Sequence, residues 1–95
     1  MSPKVRDPKN TKGYLIVINT DDHWPPHVHV VAGRAYAKLG FAHEVYLIEN
    51  KGFTEGQLRD ALDLVWENRG HCWQVWVNVF GQPSQEELDS LKGNK

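Results

Sequence analysis

Three of the five histidines in this chain stand at positions 23, 27 and 29, within the run His23-Trp24-Pro25-Pro26-His27-Val28-His29-Val30. An imidazole titrates near neutral pH, with an ordinary pKa of about 6.5, so the cluster has the chemistry of a base, an acid or a metal ligand. Two positions apart on a strand, His27 and His29 share one face, expected on the solvent side, while Val28 and Val30 turn to the other. A hairpin turning at Gly33-Arg34 brings Lys38 roughly opposite this strand, where a lysine can stabilise developing negative charge. Two imidazoles and a cation suffice in principle to cleave RNA through internal attack of a 2′-hydroxyl, which makes His27, His29 and Lys38 the candidate catalytic residues. No spacing here is diagnostic of a nuclease, and the simpler reading has the histidines lining the wet face of a sheet. His23, Trp24 and Arg34 are the candidate binding residues. Trp24 either offers an aromatic surface for stacking or folds down over a small core.

Two imidazoles on one strand face can also hold Zn, with His23, Asp21, Asp22 or Glu44 as further ligands. Two ligands do not make a site, and the chain has neither a thiolate quartet nor three well-spaced histidines on regular structure. No metal is expected. The stretch from Gly33 to Gly40 carries no phosphate-binding glycine fingerprint, so nucleotide hydrolysis has no support, and no cofactor is expected.

These residues need elements to hold them. Tyr14-Leu15-Ile16-Val17-Ile18 is short, β-branched and uninterrupted, the pattern of a strand, and Asn19 to Asp22 supply turn chemistry. The prolines at 25 and 26 remove two amide donors and fix φ at about −65°, so this segment is a stiff extended loop feeding the His27 strand. Gly33-Arg34 turns into Ala35-Tyr36-Ala37-Lys38-Leu39, and Glu44-Val45-Tyr46-Leu47-Ile48 makes a fourth strand, ended by Asn50-Lys51-Gly52. Past Gly52 the period changes. Thr54 and Gln57 form a capping box, Phe53 and Leu58 a hydrophobic staple, and Leu58, Ala61, Leu62 and Val65 one apolar stripe. Asn68-Arg69-Gly70 interrupts or kinks this helix. Trp73, Trp76, Val77 and Phe80 repeat the spacing, and Gly81 is placed to stop it.

At 95 residues the chain is the size of one small domain, and 40% hydrophobic with 24% charged residues is the composition of a folded one. Eleven Lys and Arg against twelve Asp and Glu give a net charge of −1, so any anionic partner must be held by a local patch. Cys72 is the single cysteine and cannot close an internal disulfide, and no charged-then-apolar leader is evident at the start; a reducing cytosol is the expected compartment. The run from Tyr14 to Ile18 is far short of the roughly 20 apolar residues of a membrane helix, so no membrane partner is expected.

The expected organisation is a flexible basic N-terminal arm at residues 1–12, one α+β domain at 13–82, and a C-terminal tail at 83–95 in which Ser84 and Glu87 can cap one more short helix. The domain is read as a four-stranded antiparallel sheet followed by two helices packed on one face.

The run from His23 to Val30, with Gly33, Ala37-Lys38 and Asn50-Lys51-Gly52-Phe53 after it, resembles the bacterial domain-of-unknown-function family numbered forty-one sixty. The helical half is similar too, in Leu58, Glu67-Asn68-Arg69, Trp76 and Phe80-Gly81, so the resemblance covers about residues 14 to 81. It departs at Gly70-His71-Cys72-Trp73, where family members carry plain helix formers. The resemblance implies a small bacterial or mobile-element protein, often encoded beside a second small protein in toxin–antitoxin-like pairs. His23, Pro25, Pro26, His27, His29 and Lys38 match the family motif, and no catalytic role comes with them.

The functional expectation is therefore a small intracellular protein of toxin–antitoxin type acting through a protein partner, with RNA or a nucleic-acid complex as a second candidate partner and a homodimer compatible. One alternative is a metal-independent histidine-based ribonuclease. The other is a phage or mobile-element inhibitor that binds a host defence complex.

Overall fold

The structure, a computed structural model, describes residues 4–5, 13–19 and 23–92. Most of the expected basic arm lies outside these residues, as do Asp21 and Asp22. Among the described residues five strands form one antiparallel sheet in chain order: β1 (Lys4–Val5), β2 (Leu15–Val17), β3 (His27–Ala32), β4 (Ala35–Gly40) and β5 (Tyr46–Lys51). Three helices follow, α1 (Glu55–Glu67), α2 (Arg69–Phe80) and α3 (Gln85–Lys92). The chain is α+β, with the sheet first and the helices after it.

The strand that opens this order, β1, lies within the stretch expected as an arm, and two residues carry no alternation from which to recognise it. The β3–β4 hairpin turns through Gly33 and Arg34, and Gly33 takes φ +60°, which a primed two-residue turn requires at that position. The last strand runs Tyr46–Lys51 rather than 44–48. Lys38 pairs with Glu49 and Leu39 with Leu47, so Ile48 is an extra residue that bulges this edge strand.

Beyond the sheet, the Thr54 and Gln57 capping box forms as the sequence predicts. The Gln57 backbone N–H donates to Thr54 Oγ1 at 3.2 Å, and the Thr54 N–H donates to Gln57 Oε1 at 2.9 Å. The helix breaks at Asn68, which is buried and whose side-chain amide donates to the Leu64 carbonyl at 2.9 Å. An Asn side chain that takes up a carbonyl of the preceding turn competes with helix continuation. Gly81, at φ +85°, ends α2. The Ser84 and Glu87 box caps α3, with reciprocal bonds of 3.1 and 3.0 Å.

One face of the sheet is apolar and covered. Ile16, Val28, Val30, Ala37 and Leu39 are buried there, joined by Phe41 and Phe53, by Ala61 and Val65 of α1, and by Cys72 and Trp76 of α2. Among the described residues no helix is long and apolar enough to cross a membrane.

Candidate functional site

The antiparallel register fixes what stands on the other face. Residues directly opposite each other in neighbouring strands project to the same side of the sheet. Val30 pairs with Ala37, both fully buried, and this row faces the core. The next row therefore faces away from it: Val17, His29, Lys38 and Glu49, paired in turn across β2, β3, β4 and β5. Leu15, Val31, Tyr36 and Lys51 form the row beside it. Here Lys51 Nζ lies 3.8 Å from Glu49 Oε2.

His29 and Lys38 are thus directly opposed. A shift of one residue in register would have turned Lys38 into the core. The His29 ring centre is 5.7 Å from that of His27 and 6.2 Å from that of Tyr36, so three rings run across the face. Asn19, at the end of β2, bonds His29 through its side-chain nitrogen, 3.2 Å from Nε2. An amide nitrogen only donates, so Nε2 is the acceptor and the neutral ring carries its proton on Nδ1.

Around His29 the surface sinks into a pocket of about 370 Å³, with Val17 and Val31 as apolar lining and Asn19, Arg34 and Tyr36 as polar walls. A guanidinium, an imidazole, an amide and a phenol converging on an apolar surface suit a ligand that is flat on one side and anionic on the other. The volume is at the small end of those that hold small ligands.

His27 is placed differently from its expectation. It is 8% exposed rather than on the solvent side, because the Trp76 ring of α2 lies 5.9 Å from it and covers the head of β3. Its Nδ1 donates to the Pro25 carbonyl at 2.8 Å, so the stiff proline loop sets the ring's orientation. His27 supports His29 from below the surface. His23 is exposed at the start of the loop.

Trp24 does both of the things its sequence left open. Its ring lies 6.5 Å from Trp73 and 6.4 Å from Trp76, at the rim of the core, and its other side lines a separate groove with Tyr46 and Ser90. The indole Nε1 donates to Ser90 Oγ at 2.9 Å. The structure therefore brings His27, His29, Lys38 and Arg34 to one face and leaves Trp24 in another groove. Asn19 and Tyr36 join the site unannounced by the sequence reading. Tyr36 was within reach, since it shares the period-two face of Lys38; Asn19 reads as turn chemistry.

Among the described residues no group of three or more His, Cys, Asp and Glu side chains is arranged to hold a metal ion. Cys72 is fully buried, and burial pushes its thiol up to about 12, which removes it from thiolate chemistry at neutral pH.

A family model described as Domain of unknown function (DUF4160) matches residues 13–76, which is 64 of the 95 residues and takes in the proline-histidine loop, strands β2 to β5 and the helices as far as Trp76. No curated protein and no solved structure matches the chain.

Proposed function

The chain belongs to the family described as Domain of unknown function (DUF4160), and from that premise we propose that it is a small protein of toxin–antitoxin type that engages single-stranded RNA through the open face of its sheet. The observation that carries this reading is the direct opposition of His29 and Lys38 beside the Arg34 and Tyr36 pocket. Single-stranded RNA is held on sheet surfaces by rings that stack on bases and by cations that meet phosphates. Tyr36 and His29 supply the rings; Arg34 and Lys38 supply the charge, Lys51 being paired with Glu49. A chain of net charge −1 has no other means of attracting a polyanion than such a local patch.

A second reading is favoured by the same pair. An imidazole acting as base beside an ammonium that stabilises a pentavalent phosphate is the minimum for 2′-hydroxyl attack, and His29 with Lys38 meets it once the substrate displaces the Asn19 amide from Nε2. The burial of His27 counts against its serving as the second, acid imidazole. Binding is therefore the primary reading and cleavage the secondary one. The toxin–antitoxin setting and the inhibitor of a host defence complex differ in the neighbouring gene, a small partner in one and a prophage locus in the other.

The test uses a fluorescently labelled ten-nucleotide RNA and its all-deoxy counterpart. Wild type binds the RNA in an anisotropy titration at low salt, and Arg34→Ala with Lys38→Ala lowers the slope of log affinity against log salt by roughly 0.7 for each phosphate contact removed. Incubation followed by a denaturing gel separates the readings, since cleavage of RNA but not of the deoxy strand, lost in His29→Ala, makes the protein an enzyme. Failure of both titration and gel overturns the proposal.

A further inference from the structure

A second groove, of about 430 Å³, shares no lining residue with the His29 pocket. Trp24 and Tyr46 give it two aromatic walls, Glu44 contributes a carboxylate, and Ser90 and Leu91 of α3 close one side. We propose that this groove binds a basic segment of a protein partner, with one arginine or lysine head group entering between Trp24 and Tyr46 and meeting Glu44.

The walls are held from three directions, so the groove is built rather than incidental. Tyr46 lies against Gly40, directly opposite it in the ladder, so closely that a Cβ at position 40 would overlap its ring. Glycine at 40 is what lets the phenol lie down on the sheet. The loop between β4 and β5 is tied to the helices by Arg69, whose Nη1 donates to the His43 carbonyl at 3.0 Å. The helix α3 is fastened by the bond from Trp24 Nε1 to Ser90 Oγ.

The chemistry selects a cation. An ammonium or guanidinium is attracted to the faces of Trp and Tyr within about 6 Å of the ring centre, and a carboxylate at the same place adds a counter-charge. Among the described residues no ion pair occupies Glu44. The helix that closes the groove adds carboxylates at Glu86, Glu87 and Asp89, while His43 in the lining and Arg69 on the His43 carbonyl are the basic groups nearby. An acidic partner would meet repulsion from both the groove and the helix, and an RNA strand likewise. The proposal is independent of the RNA reading, which concerns a pocket with no lining residue in common with this groove.

The full-length protein is titrated into a labelled, doubly capped peptide of alternating glycine and arginine, and separately into the same peptide with glutamate in place of arginine. The arginine peptide binds saturably and the glutamate peptide does not. Glu44→Gln weakens binding on the order of fivefold, the size of one exposed ion pair, and Tyr46→Leu weakens it through the lost ring. Glu55→Gln, which removes an exposed carboxylate at the start of α1, leaves it unchanged. Equal binding of both peptides, no binding of the arginine peptide at low salt, an unchanged Glu44→Gln, or an equal loss in Glu55→Gln overturns the assignment.

Discussion

Lys38 stands directly opposite His29 across the β3–β4 ladder, on the face of the sheet that the helices leave uncovered. The neighbouring pair, Val30 and Ala37, is fully buried on the opposite face. The hairpin turn at Gly33 sets both relationships at once. It commits the small apolar residues of β3 and β4 to the core, and with the same register it commits an imidazole and an ammonium to each other. Folding and site geometry thus depend on one turn.

His27 and Lys38 should separate under alanine substitution. His27→Ala removes a ring packed beside Trp76 and leaves the Pro25 carbonyl without its donor, which should cost about 1 to 3 kcal/mol. Lys38→Ala on the open face should stay within about 0.5 kcal/mol of wild type. Urea midpoints of the two variants check this, and equal midpoints would show that His27 does not support the site from within.

The start of α1 rests on two reciprocal bonds between Thr54 and Gln57. Thr54→Ala should lower stability by about 1 kcal/mol, as loss of a helix N-cap does. Thermal unfolding followed by circular dichroism measures it. Thr54→Ser, which keeps the hydroxyl, should recover most of the loss.

Cys72 links stability to alkaline pH. Burial holds its thiol neutral up to about 12 against an ordinary value of 9.0, so the folded state retains a proton that the unfolded chain releases. This contribution is fully present below pH 9.0 and is lost progressively as pH rises toward 12. Cys72→Ala should flatten that decline in a series of denaturant curves. Native protein at pH 8 should also react with a thiol reagent far more slowly than unfolded protein.

The sequence carried the local features of this fold well. The glycine at the hairpin turn and the Thr54-x-x-Gln57 box act within a few residues and take the form their patterns predict, as does the His29–Val30 alternation in β3. Features that depend on distant partners were not legible. His27 is buried by Trp76, 49 positions on, and period-two alternation contains no term for a helix arriving at the end of a strand. Trp24 finds Ser90 across 66 residues, so α3 reads in sequence as a tail although it walls a groove. The bulge at Ile48 moves the last strand relative to its apolar run. Lys38 lies between these cases: its type and approximate position were readable, but the face it occupies turned on a single residue of register.

The most direct measurement of the central claim is amide chemical-shift mapping of the labelled protein with a short single-stranded RNA. The perturbed residues should cluster on the open face, at Asn19, His29, Arg34, Tyr36 and Lys38, while Glu44 and Ser90 in the other groove stay unmoved. Perturbations confined to the Trp24 and Tyr46 groove or to the helices, or a spectrum unchanged by saturating RNA, would contradict it.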